Sequence, residues 1–156
     1  RTPYVKGALS YAQTIGAKAI SLSSNEDSEI SQYADIAIEV ITGPEILTGS
    51  TRLKAATAHK MILNMISTAS MVKYGKVYRN LMVDVNATNY KLKERCKKIV
   101  HEATQVSYTE AEDVLLKTGY KVKPAIVMIL ANVEYEQAQL LLEQSQGFVR
   151  EAIKNK

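Results

Sequence analysis

Residues 18–40, KAISLSSNEDSEISQYADIAIEV, decide the class of fold that this sequence can adopt. Residues 18–22 have the apolar content of a short buried strand, which ends at the polar residues 23–25. Residues 28–33 can form a brief helix, and residues 36–40 predict a second strand. This order of elements is typical of a parallel sheet layered with helices, so the predicted fold class is α/β.

The segment before this unit predicts a helix. Thr2 is placed as its N-cap, Pro3 as its first residue and Gly16 as its end. Two strands are too few for a parallel sheet, which needs both faces covered and neighbours at both edges. We therefore expect further strands upstream of Arg1 or in a partner. The absence of an initiator Met also leads us to expect a fragment or a processed start.

Composition limits the classes of protein to which the chain can belong. Of the 156 residues, 46% are hydrophobic, which is enough for one sizeable core or two small ones. No apolar stretch reaches membrane-spanning length, because residues 61–72 are broken by polar side chains. No signal peptide opens the sequence, and Cys96 is the single cysteine. We expect a cytoplasmic protein without a disulfide framework or a membrane span.

A net charge of +4 raises the question of an anionic partner. The densest basic cluster lies in residues 91–98, where the cations lie on the polar side of a predicted amphipathic helix. A solvated helix face is the favoured interpretation, so we expect no nucleic-acid partner.

The loop at residues 42–54 is the best candidate for a binding site. It contains two glycines, a proline and four hydroxyl residues, and Ser50 or Thr51 can cap a predicted helix over residues 52–73. Amides at a helix N-terminus, with nearby hydroxyls and cations such as Arg52 and Lys54, are typical of an anion site. On these grounds alone a simple helix cap is the favoured interpretation, and the anion site is the alternative.

The C-terminal part differs in character. A helix is predicted over residues 90–104 with Asn89 as its cap, and residues 78–86 are expected to be extended. Four short helices follow: one opened by a capping box at residues 109–112, one opened by Pro124, one over residues 134–143 and one ending near Asn155. We expect three parts: residues 1–75, a connecting segment with a helix at 76–105, and a small helical domain at 106–156.

Other reactive residue types are isolated. His59 and His101 have no metal-ligand spacing around them, and we expect His59, on the long helix, to be packed or interfacial. Cys96 lies on the apolar stripe of its predicted helix and is assigned to the core.

Several separated motifs resemble the N-acetylmuramic acid 6-phosphate etherases, a family related to the glucokinase regulatory proteins. The main one is GPEILTGSTRLK at residues 43–54. The others are RTPYV at 1–5, ADIAI at 34–38, NLMVDV at 80–85 and GFVR at 147–150. The resemblance covers nearly the whole chain and assigns it to the C-terminal half of such a protein. One departure is Ala56, where the family usually has glycine.

The resemblance implies a partial sugar isomerase (SIS) sheet followed by a small bundle resembling ubiquitin-associated folds. It also implies a homodimer and a lyase that needs no metal or organic cofactor. The family cleaves the D-lactyl ether of N-acetylmuramic acid 6-phosphate, giving N-acetylglucosamine 6-phosphate and D-lactate.

The resemblance also implies where the site residues lie. The family's acid and base glutamates belong to motifs that would precede Arg1, so no catalytic residue is assigned here and the chain alone is expected to be inactive. The expected substrate-binding residues are Arg1, Thr2, Glu45, Ser50, Thr51, Arg52 and Lys54. A non-catalytic sugar-phosphate sensor, similar to the glucokinase regulatory proteins, is the alternative; a module for dimerisation and closure only is a third hypothesis.

Overall fold

The computed structural model describes residues 2–155. The chain divides into two compact units, Arg1–Ser67 and Thr68–Lys156, and the division falls within one long helix.

The first unit contains the predicted strand–helix–strand arrangement. Helix α1 (Pro3–Thr14) precedes strand β1 (Ile20–Ser23), a short 3₁₀ helix (Glu29–Tyr33) and strand β2 (Ile36–Glu39). The two strands pair in parallel, with Ile20 opposite Ile36 and Ser23 opposite Glu39. The α/β class is confirmed at this level: a small parallel sheet in a mostly helical chain.

Helix α2 (Lys54–Lys73) begins two residues later than predicted. The backbone amides of Lys54 and Ala55 donate to the Glu45 carboxylate at 3.1 and 3.0 Å, respectively. A side chain nine residues upstream therefore satisfies first-turn amides that the sequence had assigned to Ser50 or Thr51, because the preceding loop folds back onto the helix start.

After the end of α2, the second unit contains a hairpin that the sequence did not predict. Strands β3 (Val77–Tyr78) and β4 (Leu81–Met82) pair antiparallel around a two-residue turn. Arg79 enters the turn with φ of 55°, a left-handed conformation that is usually glycine, asparagine or aspartate in hairpins. An arginine at this position hides the usual turn signal.

The helices of the second unit follow the predicted order. They are α3 (Tyr90–Thr104), α4 (Tyr108–Lys117), α5 (Val122–Ala131), α6 (Tyr135–Gln144) and α7 (Val149–Lys154). Asn89 caps α3 as predicted, since its Oδ1 accepts from the Leu92 amide at 3.0 Å. The predicted start of α4 at a capping box over residues 109–112 was wrong. Ser107 is the cap, since its Oγ accepts from the Glu110 amide at 3.1 Å, and the helix starts at Tyr108.

The hydrophobic core lies in the second unit. Helix α5 is buried almost all round, and α3, α4, α6 and α7 pack against it or each other. Val100, Leu115 and Ile126 are completely buried there. The first unit buries much less, since α1 has no buried residue and the buried apolar side chains of this unit, Ala19 and Ala55, are both small.

Candidate functional site

The carboxyl ends of β1 and β2 lie at one edge of the parallel sheet. Ser23 and Glu39 are opposite each other at that edge, and each is followed by a polar connection. Ligands of open α/β sheets bind outside the carboxyl ends of the strands. The connection at residues 24–28 and the one at residues 40–53 are therefore the natural components of a site in this unit.

Glu39 holds the connection that follows β1. Its carboxylate accepts from the Ser31 hydroxyl at 2.6 Å and from the amides of Asp27 and Ser28 at 2.9 Å each. These hydrogen bonds, that from Ser31 foremost, hold the pKa of Glu39 below its usual value. Residues 25–29 line a polar cavity of about 630 Å³. The loop beside the sheet edge thus has a defined shape.

Glu45 organises the connection that follows β2. Its two hydrogen bonds from the Ala55 and Lys54 amides lower the pKa of the carboxyl group, so Glu45 is ionised at neutral pH. The negative charge is favourable at the positive end of the α2 dipole. The same carboxylate therefore accepts hydrogen bonds from amides that the sequence predicted to bind an anion.

The remaining predicted binding residues are spread around this connection. The Ser50 amide donates to the Leu47 carbonyl at 3.1 Å, and the Thr51 carbonyl accepts from the Ala56 amide at 3.1 Å. Arg52 and Lys54 are exposed. The backbone thus forms a turn that brings Glu45 and Lys54 together and leaves both cations open to solvent.

The other end of the predicted site lies on α1. Thr2 is the N-cap residue, and its carbonyl, not its side chain, accepts from the Val5 amide at 3.0 Å. Arg1, also predicted to bind substrate, lies outside the described residues.

A histidine that the sequence predicted to be packed or interfacial lies at this sheet edge. His59 Nε2 lies 2.9 Å from the Ser24 hydroxyl, and both side chains are partly buried. Ser24 directly follows β1, whereas His59 is in the second turn of α2. The two residues are 35 positions apart, and no local sequence signal connects them. Their pairing depends on how α2 lies beside the sheet edge within this unit.

Lys54 also borders a second, mostly apolar hollow. This hollow has a volume of about 540 Å³ and is lined by Thr42, Leu53, Lys54, Thr57, Ala58 and Met61. An ammonium group beside apolar side chains suits a ligand with both an anionic and an apolar part.

Residues 2–155 contain neither a cluster of metal ligands nor a membrane-spanning helix. No group of three or more His, Cys, Asp or Glu side chains in this range is arranged to hold a metal ion. Within the same residues, no helix combines the length and the apolar character needed to cross a membrane.

Comparison with known proteins shows which sequences this chain resembles. A family model described as the C-terminal lid domain of glucokinase regulatory protein matches residues 79–125. The N-acetylmuramic acid 6-phosphate etherase of Oceanobacillus iheyensis is 61% identical over 150 residues, which are 96% of this chain and 51% of that protein.

Two further relatives with the same name give the same result. The protein of Bacillus subtilis is 57% identical over 155 residues, which are 99% of this chain and 51% of that protein. The protein of Francisella tularensis is 58% identical over 150 residues, covering 96% of this chain and 51% of that protein. The chain thus spans about half the length of the curated relatives it matches. The predicted resemblance to this family is confirmed, and these relatives do not favour the regulator alternative.

Proposed function

We propose that this sequence relative of the N-acetylmuramic acid 6-phosphate etherases supplies about half of such an enzyme. The whole protein would be a carbon–oxygen lyase that converts N-acetylmuramic acid 6-phosphate to N-acetylglucosamine 6-phosphate and D-lactate. The observation that carries this proposal is the 57–61% identity along nearly the entire chain. The 155-residue match to the Bacillus subtilis protein extends across the connection at residues 40–53.

The proposed chemistry is elimination followed by hydration. One group removes the acidic proton beside the open-chain aldehyde of the sugar, and another protonates the departing lactate oxygen. Water then adds to the unsaturated intermediate. A general acid must hold a proton near neutral pH. Glu45 is ionised, and its carboxylate accepts hydrogen bonds from two backbone amides. Glu45 is therefore unsuited to the acid role, and because both of its oxygens are engaged by amides of α2 it suits a positioning role better than that of a base. We propose that the acid–base pair comes from residues outside this chain.

Substrate binding is proposed for the residues that the resemblance assigned. These are Arg1, Thr2, Ser50, Thr51, Arg52 and Lys54, together with Glu45, whose contribution would be to hold the connection at residues 40–53 in shape. Support for this set comes from the open cations at positions 52 and 54 and from the position of the connection beside the carboxyl end of β2. Arg52 and Lys54 would neutralise the phosphate, and Ser50 and Thr51 would donate hydrogen bonds to it.

The finer architecture and setting are also part of this proposal. We propose a partial SIS-type sheet and a ubiquitin-associated-like bundle, with parts at residues 1–75, 76–105 and 106–156. We further propose a cytoplasmic homodimer that needs no cofactor. Parallel pairing of β1 with β2 and the small helical core are compatible with these assignments. Sedimentation analysis of the full-length protein tests the dimer.

A chimera tests the proposed activity. This chain would replace the matching 155 residues of the Bacillus subtilis etherase, and D-lactate release from N-acetylmuramic acid 6-phosphate would be measured. We expect turnover by the chimera and none by this chain alone. A folded chimera that releases no D-lactate would contradict the proposed function, and turnover by the isolated chain would contradict the proposed origin of the acid–base pair.

Lys54→Ala in the same chimera tests the binding site. We expect KM to rise about tenfold, because an ammonium-to-phosphate hydrogen bond is lost, while the thermal midpoint stays near that of the parent. Lys60→Ala is the matched control, an exposed lysine on the same helix. Equal KM values for the two variants would remove Lys54 from the binding set.

A further inference from the structure

The pair formed by Ser24 and His59 has no role in the set of binding residues proposed above. The Ser24 hydroxyl is 2.9 Å from His59 Nε2, in a partly buried position. Ser24 is the first residue after β1, at the sheet edge where ligands of this fold class bind. A side chain from α2 therefore determines the direction of a hydroxyl group in the first connection.

The surroundings of this pair are held from two sides. Glu39 at the end of β2 fixes the amides of Asp27 and Ser28 in the same connection, and Glu45 fixes the start of α2 five residues before His59. The imidazole can therefore hold Ser24 in one orientation, since both the helix and the loop that carry the pair are anchored at the sheet edge.

The chemistry of the two groups defines the role. A serine hydroxyl has one proton to donate and two lone pairs that accept. If Nε2 carries the imidazole proton, it donates to Ser24 Oγ, and the serine proton is free to point at a ligand oxygen. If Nε2 is unprotonated, the serine proton is used by the ring, and Ser24 can only accept from a ligand.

We propose that His59 is a positioning residue that donates from Nε2 to Ser24 Oγ and thereby directs the Ser24 proton toward an oxygen of the sugar phosphate. The inference rests on the proposed function, which supplies the sugar phosphate. It adds a specificity element: Ser24 becomes a donor matched to an anionic or hydroxyl oxygen. His59 itself does not touch the substrate.

Kinetics of the chimera test this role. His59→Leu and Ser24→Ala are each expected to raise KM about three- to tenfold with kcat changed less than twofold, because the hydrogen bond is made in the ground state as well as the transition state. His59→Gln should restore KM to within about twofold, since its side-chain amide can donate to Ser24. The double variant should be no worse than Ser24→Ala alone, because His59 acts only through that hydroxyl.

His101→Leu is the matched control. His101 Nδ1 lies 2.6 Å from the Val106 carbonyl oxygen in the second unit, so its loss is expected to lower stability without changing KM. Unchanged KM in His59→Leu, in a chimera that turns over, overturns the positioning role and leaves the proposed function intact. A folded chimera without any activity overturns both.

A second readout needs no turnover. The ring ¹⁵N shifts of His59 in this chain report which nitrogen carries the proton. We expect a protonated Nε2 whose shift changes in Ser24→Ala and on addition of N-acetylglucosamine 6-phosphate. An unprotonated Nε2, or a ring signal that Ser24→Ala leaves unchanged, overturns the proposed donor direction.

Discussion

Glu45 illustrates how one carboxylate changes the interpretation of a loop. The family resemblance implied that Glu45 binds substrate, and the local sequence predicted that Ser50 or Thr51 caps the following helix. In the structure its oxygens accept from the Lys54 and Ala55 amides, so it completes the first turn of α2. Its contribution to a sugar-phosphate site would be to hold the connection at residues 40–53 in shape.

Glu45→Gln is predicted to loosen the start of α2. The hydrogen bonds lower the pKa of Glu45, so the stabilisation is present above the ordinary glutamate pKa and is lost as pH falls through the lowered value. The protection factor of the Ala55 amide should fall severalfold in the variant near neutral pH, whereas that of the parent should fall to the same value only in acid. Glu26→Gln, an exposed glutamate of the same unit, should change nothing at Ala55. An Ala55 amide that exchanges at the parent's rate in the variant would contradict the cap.

Ser21 is a buried hydroxyl with an unusual environment. Within residues 2–155, its Oγ has no hydrogen-bond partner, although the residue is only 2% exposed. Ser21→Ala removes the unsatisfied group, so the free energy of unfolding is predicted to stay equal or rise by up to about 1 kcal/mol. Ser23→Ala is the control and should destabilise, since Ser23 Oγ accepts from the Asn25 amide at 3.1 Å. Denaturant unfolding distinguishes the two; a clear loss of stability in Ser21→Ala would mean that its hydroxyl has a partner.

At the scale of elements, the junction between α2 and the hairpin requires glycine. Gly75 follows α2 with φ of 70°, and a Cβ there would lie 3.2 Å from the Gly147 carbonyl oxygen. The end of α2 and the loop between α6 and α7 therefore approach each other at backbone distance. Sequence reasoning identified Gly75 as a helix stop, but the close approach to Gly147 depends on tertiary packing.

Gly75→Ala is predicted to destabilise the second unit by at least about 2 kcal/mol, because backbone strain and the contact with Gly147 add. Gly119→Ala is the matched control. Gly119 has φ of 60° with open space around it, so only the strain of about 1 kcal/mol applies. Chemical denaturation, monitored by helix content, measures the free energy of unfolding of both variants. Equal losses of stability in the two would exclude the close approach of Gly75 to Gly147.

At the scale of the whole molecule, the two units differ in how much apolar surface they bury. The buried cluster of the second unit extends over helices α3 to α7 and the hairpin. The first unit leaves large side chains exposed, among them Tyr4 at 83% and Ile46 at 83%. Independent folding is therefore expected of the second unit only.

Separate expression of residues 68–156 and of residues 1–67 tests this difference. We predict that the first of these pieces gives dispersed amide spectra and a cooperative thermal transition, because it contains the core. Residues 1–67 are predicted to remain largely unfolded, since they bury few apolar side chains. A cooperative transition in residues 1–67 would contradict this account.

Local chemistry determined much of this protein from the sequence by itself. Pro3 at the start of α1, Asn89 as a cap, the two strands and the order of the C-terminal helices follow from signals that act over a few residues. The motif at residues 43–54 indicated the resemblance to the etherases. The hairpin at Arg79, the true cap of α4, the role of Glu45 and the Ser24–His59 pair did not follow. Each depends on an atypical turn residue, on competition between nearby caps, or on atoms distant in sequence. Only the tertiary structure decides such pairings, because hydrogen bonds between distant residues form when packing brings the chain segments together.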